Sequence, residues 1–306
     1  MTEIARKDDR LDRAVLTVAI VVVIGAIMSI LDTTIVNVAL ETLSRDLHSP
    51  LNEVQWVATG YLLALATVIP LTGWASERFG SKRVWMTSVF LFVVGSALCG
   101  AAWSATSLIV FRVLQGLGGG MVMPVGMIIL AQAAGPQRVG RVMSVVGVPM
   151  LLGPVLGPVL GGLIVSNLSW RWIFYVNLPI GAVGLVLASR LLPSARSGDA
   201  GPLDWRGLAL LSPGLALIVY GLSEVASRGA FSNATTIGPV AGGIALVVAF
   251  AWRSLHAARP LIDVRLFRRR EFSAAGRSRS PPSARRPPTP CSPARCSSAA
   301  SASAAR

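Results

Sequence analysis

Long apolar runs alternate with short polar breaks along the chain. The runs cover 14–40, 53–74, 84–102, 108–131, 142–165, 172–192, 208–222 and 235–252. About 20 apolar residues suffice for a helix to cross a bilayer, so the pattern predicts eight membrane-spanning helices in an all-α membrane protein. The break at 193–204 holds Pro193, Ser194, Ser197, Gly198, Gly201 and Pro202, the composition of a linker. It divides a six-helix unit, 14–192, from two further spans within 205–256. The pattern stops after Phe272. Residues 273–306 use only Ser, Ala, Arg, Pro, Gly, Thr and Cys, which cannot bury enough apolar surface to fold. This tail is expected to be disordered. It reads either as a basic interaction segment or as out-of-frame translation of a GC-rich gene, with the sequence up to Phe272 cut off in mid-protein.

The breaks also alternate in charge. The segment 1–13 holds Arg6, Lys7, Arg10 and Arg13 and lacks the short apolar core and cleavage site of a removed signal peptide. The second break holds Arg78, Lys82 and Arg83, the fourth Arg138 and Arg141, the sixth Arg190, Arg196 and Arg206, and Arg253 and Arg259 follow the last run. The first break sets Glu41 and Asp46 against Arg45, and the third has no charge. Basic loops face the cytoplasm, which predicts a cytoplasmic N-terminus, cytoplasmic even-numbered loops and a cytoplasmic segment at 257–272. Arg171, at the outer start of the sixth run, is an exception.

Composition agrees. Of 306 residues, 53% are hydrophobic and only 14% charged, against about 25% charged in soluble domains. The net charge of +14 does not imply nucleic acid, because it is concentrated in the loops and the tail. The three cysteines and two histidines show no metal-ligand spacing and no disulfide framework. No nucleophile–base pair is evident, and no cofactor is implied. Gly116-Leu117-Gly118-Gly119-Gly120 has Met121 where a nucleotide fingerprint needs its third glycine, and it lies inside an apolar run. An enzyme is therefore not expected.

Two charges interrupt the apolar runs. Asp32 lies in Leu31-Asp32-Thr33-Thr34-Ile35-Val36-Asn37. A carboxylate in hydrocarbon costs several kcal/mol, so it must face a cavity, be paired or be neutral. Arg112 lies in the fourth run, where it serves either as a fixed counter-charge or as a side chain snorkelling to the outer interface. Sequence alone does not place the two together. The second break, Gly73-Trp74-Ala75-Ser76-Glu77-Arg78-Phe79-Gly80-Ser81-Lys82-Arg83, has a glycine near each end for tight turns. Its acid and bases could pair across helix ends. In the fifth run, 147–162 is apolar yet rich in glycine and proline. Interior proline costs ~3 kcal/mol and glycine ~1 kcal/mol against alanine in a soluble helix. Membrane helices carry both more often. Gly153, Gly157 and Gly161 form one stripe that permits close helix approach, and Pro154 and Pro158 lie beside it.

These motifs together resemble the major facilitator superfamily, and within it the drug:proton antiporter branch with fourteen spans. Asp32 through Asn37 matches that branch's first-span signature, although Glu41 stands where a proline is usual. Gly73, Glu77, Arg78, Gly80, Lys82 and Arg83 resemble the cytoplasmic gate motif, with Glu77 for an aspartate, Ala75 for a leucine and Ser81 for a basic residue. Arg112, Gln115, Gly116, Gly118 and Gly119 match the fourth-span motif. Gly147, Gly153, Pro154, Gly157, Pro158, Gly161 and Gly162 match the antiporter motif. The segment from Trp170 through Asn177 to Pro179 resembles the start of the sixth span. The resemblance implies an N-terminal six-helix bundle plus an inserted helix pair in the cytoplasmic (inner) membrane. It implies export of amphipathic small molecules in exchange for protons, with Asp32 and Arg112 coupling the proton. The fifth-span stripe would be a seam against a second bundle that this chain lacks. The alternatives are an inactive membrane fragment or a tethered protein acting through its basic tail.

Overall fold

Ten helices build the described part of the chain, and no strand occurs among the described residues. The computed structural model describes residues 13–135, 138–193, 198, 201–228, 234–256 and 261. The helices are α1 (Arg13–Asp46), α2 (Leu51–Val68), α3 (Thr72–Phe79), α4 (Ser81–Gly100), α5 (Ala105–Ala134), α6 (Val139–Asn167), α7 (Trp172–Tyr175), α8 (Asn177–Leu191), α9 (Trp205–Arg228) and α10 (Ala234–His256). A 3-10 turn at Ile69–Leu71, centred on Pro70, joins α2 to α3 in one span, and α7 and α8 form another. Eight spans result, each long and apolar enough to cross a membrane, and the protein is a multi-pass membrane protein. The N-terminal segment up to residue 12, the centre of the expected linker, most of 257–272 and the whole tail 273–306 lie outside the described residues.

Several helices extend beyond their apolar runs, and two differences from the hydropathy reading bear on the site. Helix α1 runs six residues past Leu40 to Asp46. Leu43 is fully buried and anchors the extra turns, and no glycine or proline interrupts them before Pro50. Pro50 adopts extended backbone, and a proline disfavours helix in the residue before it. The second break is not a loop between two glycine turns. Gly73 lies inside α3, and only Gly80, with φ 85°, turns the chain. Its left-handed backbone ends α3 and opens α4, so the two helices meet with one residue between them.

Helix α1 touches α2, α5, α6, α7 and α8. Apolar side chains around it form two clusters. One gathers Val18, Val22, Trp85, Phe92, Val122 and Leu130, and the other gathers Ile35, Leu43, Val57, Leu108, Trp170 and Phe174. The buried cluster residues on α4 and α5 leave a gap along each helix where Ser96, Arg112 and Gln115 fall, while Asp32 on α1 lies between Leu31 and Ile35 of the second cluster.

The last two spans pack on each other by glycine. A Cβ at Gly243 would stand 2.7 Å from the Gly214 carbonyl oxygen and 2.9 Å from the Ile218 nitrogen. Helix α9 also docks on α2. Thr59 Oγ1 and Ser223 Oγ lie 3.0 Å apart, Ser212 Oγ donates to the Thr67 carbonyl at 2.7 Å, and Trp56 stacks on Tyr220. Asp204 fastens the pair at one end. Its carboxylate accepts from Arg253 at 2.8 Å and from the Gly207 N–H at 3.0 Å, capping the start of α9. The Arg253 hydrogen bond, followed by that of Gly207, holds the Asp204 carboxyl below the usual carboxylate range. A depressed folded-state value means the contribution is present above the ordinary carboxylate pKa and is lost as pH falls through the folded value. Asp204→Ala is expected to lower stability by about 1 kcal/mol at neutral pH, the usual worth of a helix cap. The deficit relative to the parent should vanish in strong acid, as thermal melts in detergent across pH would show.

Candidate functional site

The intramembrane charges predicted from sequence meet in space. Asp32 stands near the middle of α1 and Arg112 in the second turn of α5. Arg112 Nη1 donates to Asp32 Oδ2 at 2.6 Å, and both side chains are sealed from the surface. The other carboxylate oxygen, Oδ1, accepts from Gln115 Nε2 at 2.9 Å and from Asn177 Nδ2 at 3.0 Å. Arg112 also donates to Gln115 Oε1 at 2.9 Å and, through Nε, to the Val57 carbonyl at 3.2 Å. The Tyr61 ring lies 3.9 Å from its guanidinium carbon and the Phe174 ring 5.7 Å. Arg112 is thus an internal counter-charge, and the snorkelling alternative does not hold. A buried pair tolerates desolvation only when further hydrogen bonds satisfy the remaining donors and lone pairs, and this one is so satisfied.

The fourth-span glycines explain how the pair comes together. A Cβ at Gly116 would stand 2.7 Å from both the Ala64 Cβ and the Tyr61 carbonyl oxygen on α2. One at Gly118 would stand 2.6 Å from the Phe92 nitrogen and 2.9 Å from the Ser88 oxygen on α4. One at Gly119 would reach the Tyr61 hydroxyl at 3.0 Å. Without side chains at these positions α5 lies close to both α2 and α4. Gly95 on α4 completes the fit, since a Cβ there would stand 2.6 Å from Gln115 Cα.

The antiporter motif divides between two faces of α6. A Cβ at Gly153 would collide with the Ile30 side chain and one at Gly157 with Thr34, and one at Gly161 would stand 3.2 Å from Ile35 Cγ2. The glycine stripe is therefore filled by α1, the helix that carries Asp32, and not by a second bundle. Pro154 and Pro158 are exposed, and a Cβ at Gly147 or Gly162 would meet nothing within 4 Å. The exposed face continues through Leu151, Val155, Val159 and Leu163, each more than half exposed. Only this second face is open to a neighbour.

The gate motif is likewise only partly engaged. Lys82 Nζ donates to the Ser189 and Leu192 carbonyls, both at 2.8 Å, and so clamps the last turn of α8. Cations are favourable at a helix C-terminus. Trp74 Nε1 donates to the Gly201 carbonyl, and the Glu77 carbonyl accepts from the Gly198 N–H, so the linker is tied to α3. Glu77, Arg78 and Arg83 are exposed and form no ion pair with one another among the described residues. The expected pairing of acid and bases is not seen here.

Sequence reasoning did not assign Asn177 and Ser96 to this site. Asn177 Nδ2 donates to both Asp32 and, at 3.1 Å, Ser96 Oγ, which donates to the Phe174 carbonyl at 2.9 Å. Asn177 lies in the motif at the start of the sixth span, and an amide inside an apolar span is a signal in itself. Ser96 had no signal, because one small hydroxyl in an apolar helix is commonplace. A separate cavity of about 630 Å³ lies between α1, α2 and α9, lined by Asn37, Asn52, Gln55, Trp56, Tyr220 and Glu224 among others.

Among known proteins, the chain is 49% identical over 268 residues to the multidrug resistance protein B homolog of Mycobacterium tuberculosis (strain CDC 1551 / Oshkosh), covering 87% of this chain and 50% of that one. It is 40% identical over 245 residues to the probable transport protein HsrA of Haemophilus influenzae, covering 80% and 52%. The chain thus spans about half the length of the curated relatives it matches. The solved peptide transporter POT superposes with TM-score 0.55 at 17% identity, covering 78% of this chain and 51% of that one. The proton:xylose symporter XylE does so with TM-score 0.54 at 16% identity, covering 77% and 51%. Both likenesses are of fold. The sequence profile of the Major Facilitator Superfamily matches residues 22–260, and the chain belongs to that superfamily.

Proposed function

We propose that this chain is the N-terminal half of a proton-coupled exporter of amphipathic small molecules in the cytoplasmic membrane, with its N-terminus in the cytoplasm. The buried Asp32–Arg112 pair carries the reading. Asp32 is the proton site. Charged, it holds Arg112, Gln115 and Asn177 together; on taking up a proton it loses its ion pair. Arg112 then keeps the Val57 carbonyl, Gln115 Oε1 and the Tyr61 ring, so it is not stranded in hydrocarbon. That retention makes protonation of a buried carboxylate tolerable here. The proton enters from outside as substrate leaves, and its release to the cytoplasm readies the site for the next molecule.

Alternating access rocks one bundle against another about a midplane site. The chain supplies one bundle, and the open face of α6 is the surface a second would meet. The resistance named in the relatives' descriptions supports drugs as the cargo class. The test is efflux of a fluorescent lipophilic cation from vesicles with an imposed proton gradient, using both the 306-residue chain and a version extended to the relatives' length. Gradient-driven efflux is expected from the extended form and should fall at least ~100-fold in Asp32→Asn, as for loss of an essential charged group. Undiminished coupled efflux in that variant would remove Asp32 from the mechanism. A second reading, a membrane protein without transport of its own, is supported by the half-length match and the open α6 face; it predicts no efflux from the 306-residue chain.

A further inference from the structure

The hydrogen-bond chain leading away from Asp32 toward α7 is not needed to neutralise Arg112. The amide nitrogen of Asn177 stands 3.0 Å from Asp32 Oδ1 and 3.1 Å from Ser96 Oγ, so one terminal group serves both neighbours. Both are donor contacts. Ser96, its oxygen thus engaged, turns its own hydrogen to the Phe174 carbonyl at 2.9 Å. The hydrogens run outward from Asn177, one to the Asp32 carboxylate and the other to Ser96, whose own hydrogen goes on to the Phe174 carbonyl. All three side chains are buried.

A neutral Asp32 has a hydrogen to give. An asparagine amide fills the same volume when its oxygen and nitrogen exchange places. Turned over, it puts an acceptor within reach of Asp32 and Ser96 together. The Asp32 hydroxyl and the Ser96 hydroxyl then both donate to Asn177 Oδ1, and the Phe174 carbonyl loses Ser96. No atom need shift by more than a rotation about two side-chain bonds. The series thus has two arrangements, and a proton on Asp32 Oδ1 favours the second.

The end of the series falls at a weak point. Phe174 is in the four-residue helix α7, and Asn177 opens α8. Pro179 has no N–H to give the Tyr175 carbonyl, so the backbone between the two helices lacks one rung. Phe174 also packs edge-on against Trp170, and its ring lies beside Arg112. We infer that Asn177 and Ser96 form a reversible hydrogen-bond switch that carries the protonation state of Asp32 to the α7–α8 joint, making Asn177 a positioning residue for the sixth span. The inference rests on the proton-site reading of Asp32. Among the described residues, the other titratable or charged groups facing Asp32 are Arg112 from α5, Tyr61 from α2 and Cys99 from α4; those of α6, α7 and α8 present none there.

The 306-residue chain in lipid nanodiscs tests this without requiring transport. Infrared difference spectra between acid and alkaline buffer report the Asp32 carboxyl, identified by its loss in Asp32→Asn. Hydrogen exchange of the 172–182 backbone, corrected for the intrinsic effect of pH, reports the joint. Acid should speed that exchange about fivefold, as release of one hydrogen bond implies, with the midpoint of the Asp32 band. In Ser96→Ala and Asn177→Leu the Asp32 band should persist while the exchange no longer follows it. Exchange that still tracks the band in both variants overturns the switch. Absence of any Asp32 band overturns the proton-site reading instead. In that event the charge on Asp32 does not change with pH, and the switch falls with it.

Discussion

Arg112→Ala should be among the most destabilising single substitutions in the chain, costing about 3–5 kcal/mol, because it leaves a carboxylate buried with no cation. Asp32 would keep only the Gln115 and Asn177 amides. Removing the acid instead, by Asp32→Asn, should cost less. Arg112 would retain the Val57 carbonyl, Gln115 Oε1 and the Tyr61 face, and the new amide can accept as well as donate. The double variant Arg112→Met with Asp32→Leu should recover most of the loss, since well-packed apolar groups often replace a buried ion pair at little cost. Denaturant-driven unfolding of the four proteins in detergent ranks their stabilities. Equal losses for the two single changes, with no recovery in the double, would show that the pair is held by packing and not by charge.

Gly157→Val is the second large effect. A Cβ at Gly157 falls on the Thr34 hydroxyl, and the clash is with a β-branched side chain whose Oγ1 is bonded to the Ile30 and Leu31 carbonyls of α1. Thr34 has little freedom to yield. Overpacking of this kind costs ~1–3 kcal/mol, occasionally more, and here it would part α6 from α1 two residues away from Asp32. Gly162→Ala is the control, because its Cβ would enter open space. Cross-linking between cysteines placed on α1 and α6 should drop sharply in Gly157→Val and remain at the parent level in Gly162→Ala. The opposite order would mean that the motif acts on its outward face.

The two faces of α6 show why a motif does not specify its own partner. Spacing of four residues puts Gly153, Gly157 and Gly161 on one line in any helix, and the need for a close neighbour follows from the missing side chains. It does not follow which neighbour. The expectation of a second bundle came from the family, and the chain instead folds α1 into the stripe. The gate motif is similar. Its charges were legible, but Lys82 takes two carbonyls at the end of α8, and not Glu77, as its partners.

Local properties were therefore readable in the chain alone. Eight spans follow from the length of apolar runs, because lipid leaves the backbone no alternative to internal bonding. Asp32 and Arg112 were conspicuous because a charge in hydrocarbon demands a reason. Helix α1 ran beyond its apolar run because hydropathy does not see a helix held by one buried leucine such as Leu43. Tertiary structure alone decided the pairing. Asp32 and Arg112 stand 80 positions apart, and Asp32 and Asn177 are separated by 145. Nothing in either neighbourhood encodes such a distance. It is set by how closely α5 lies to α2 and α4, and that closeness depends on glycines whose effect appears only when helices meet. Hydrogen-bond direction is decided last, since a hydroxyl such as Ser96 or an amide such as Asn177 acquires its role only from the atoms that packing brings within 3 Å.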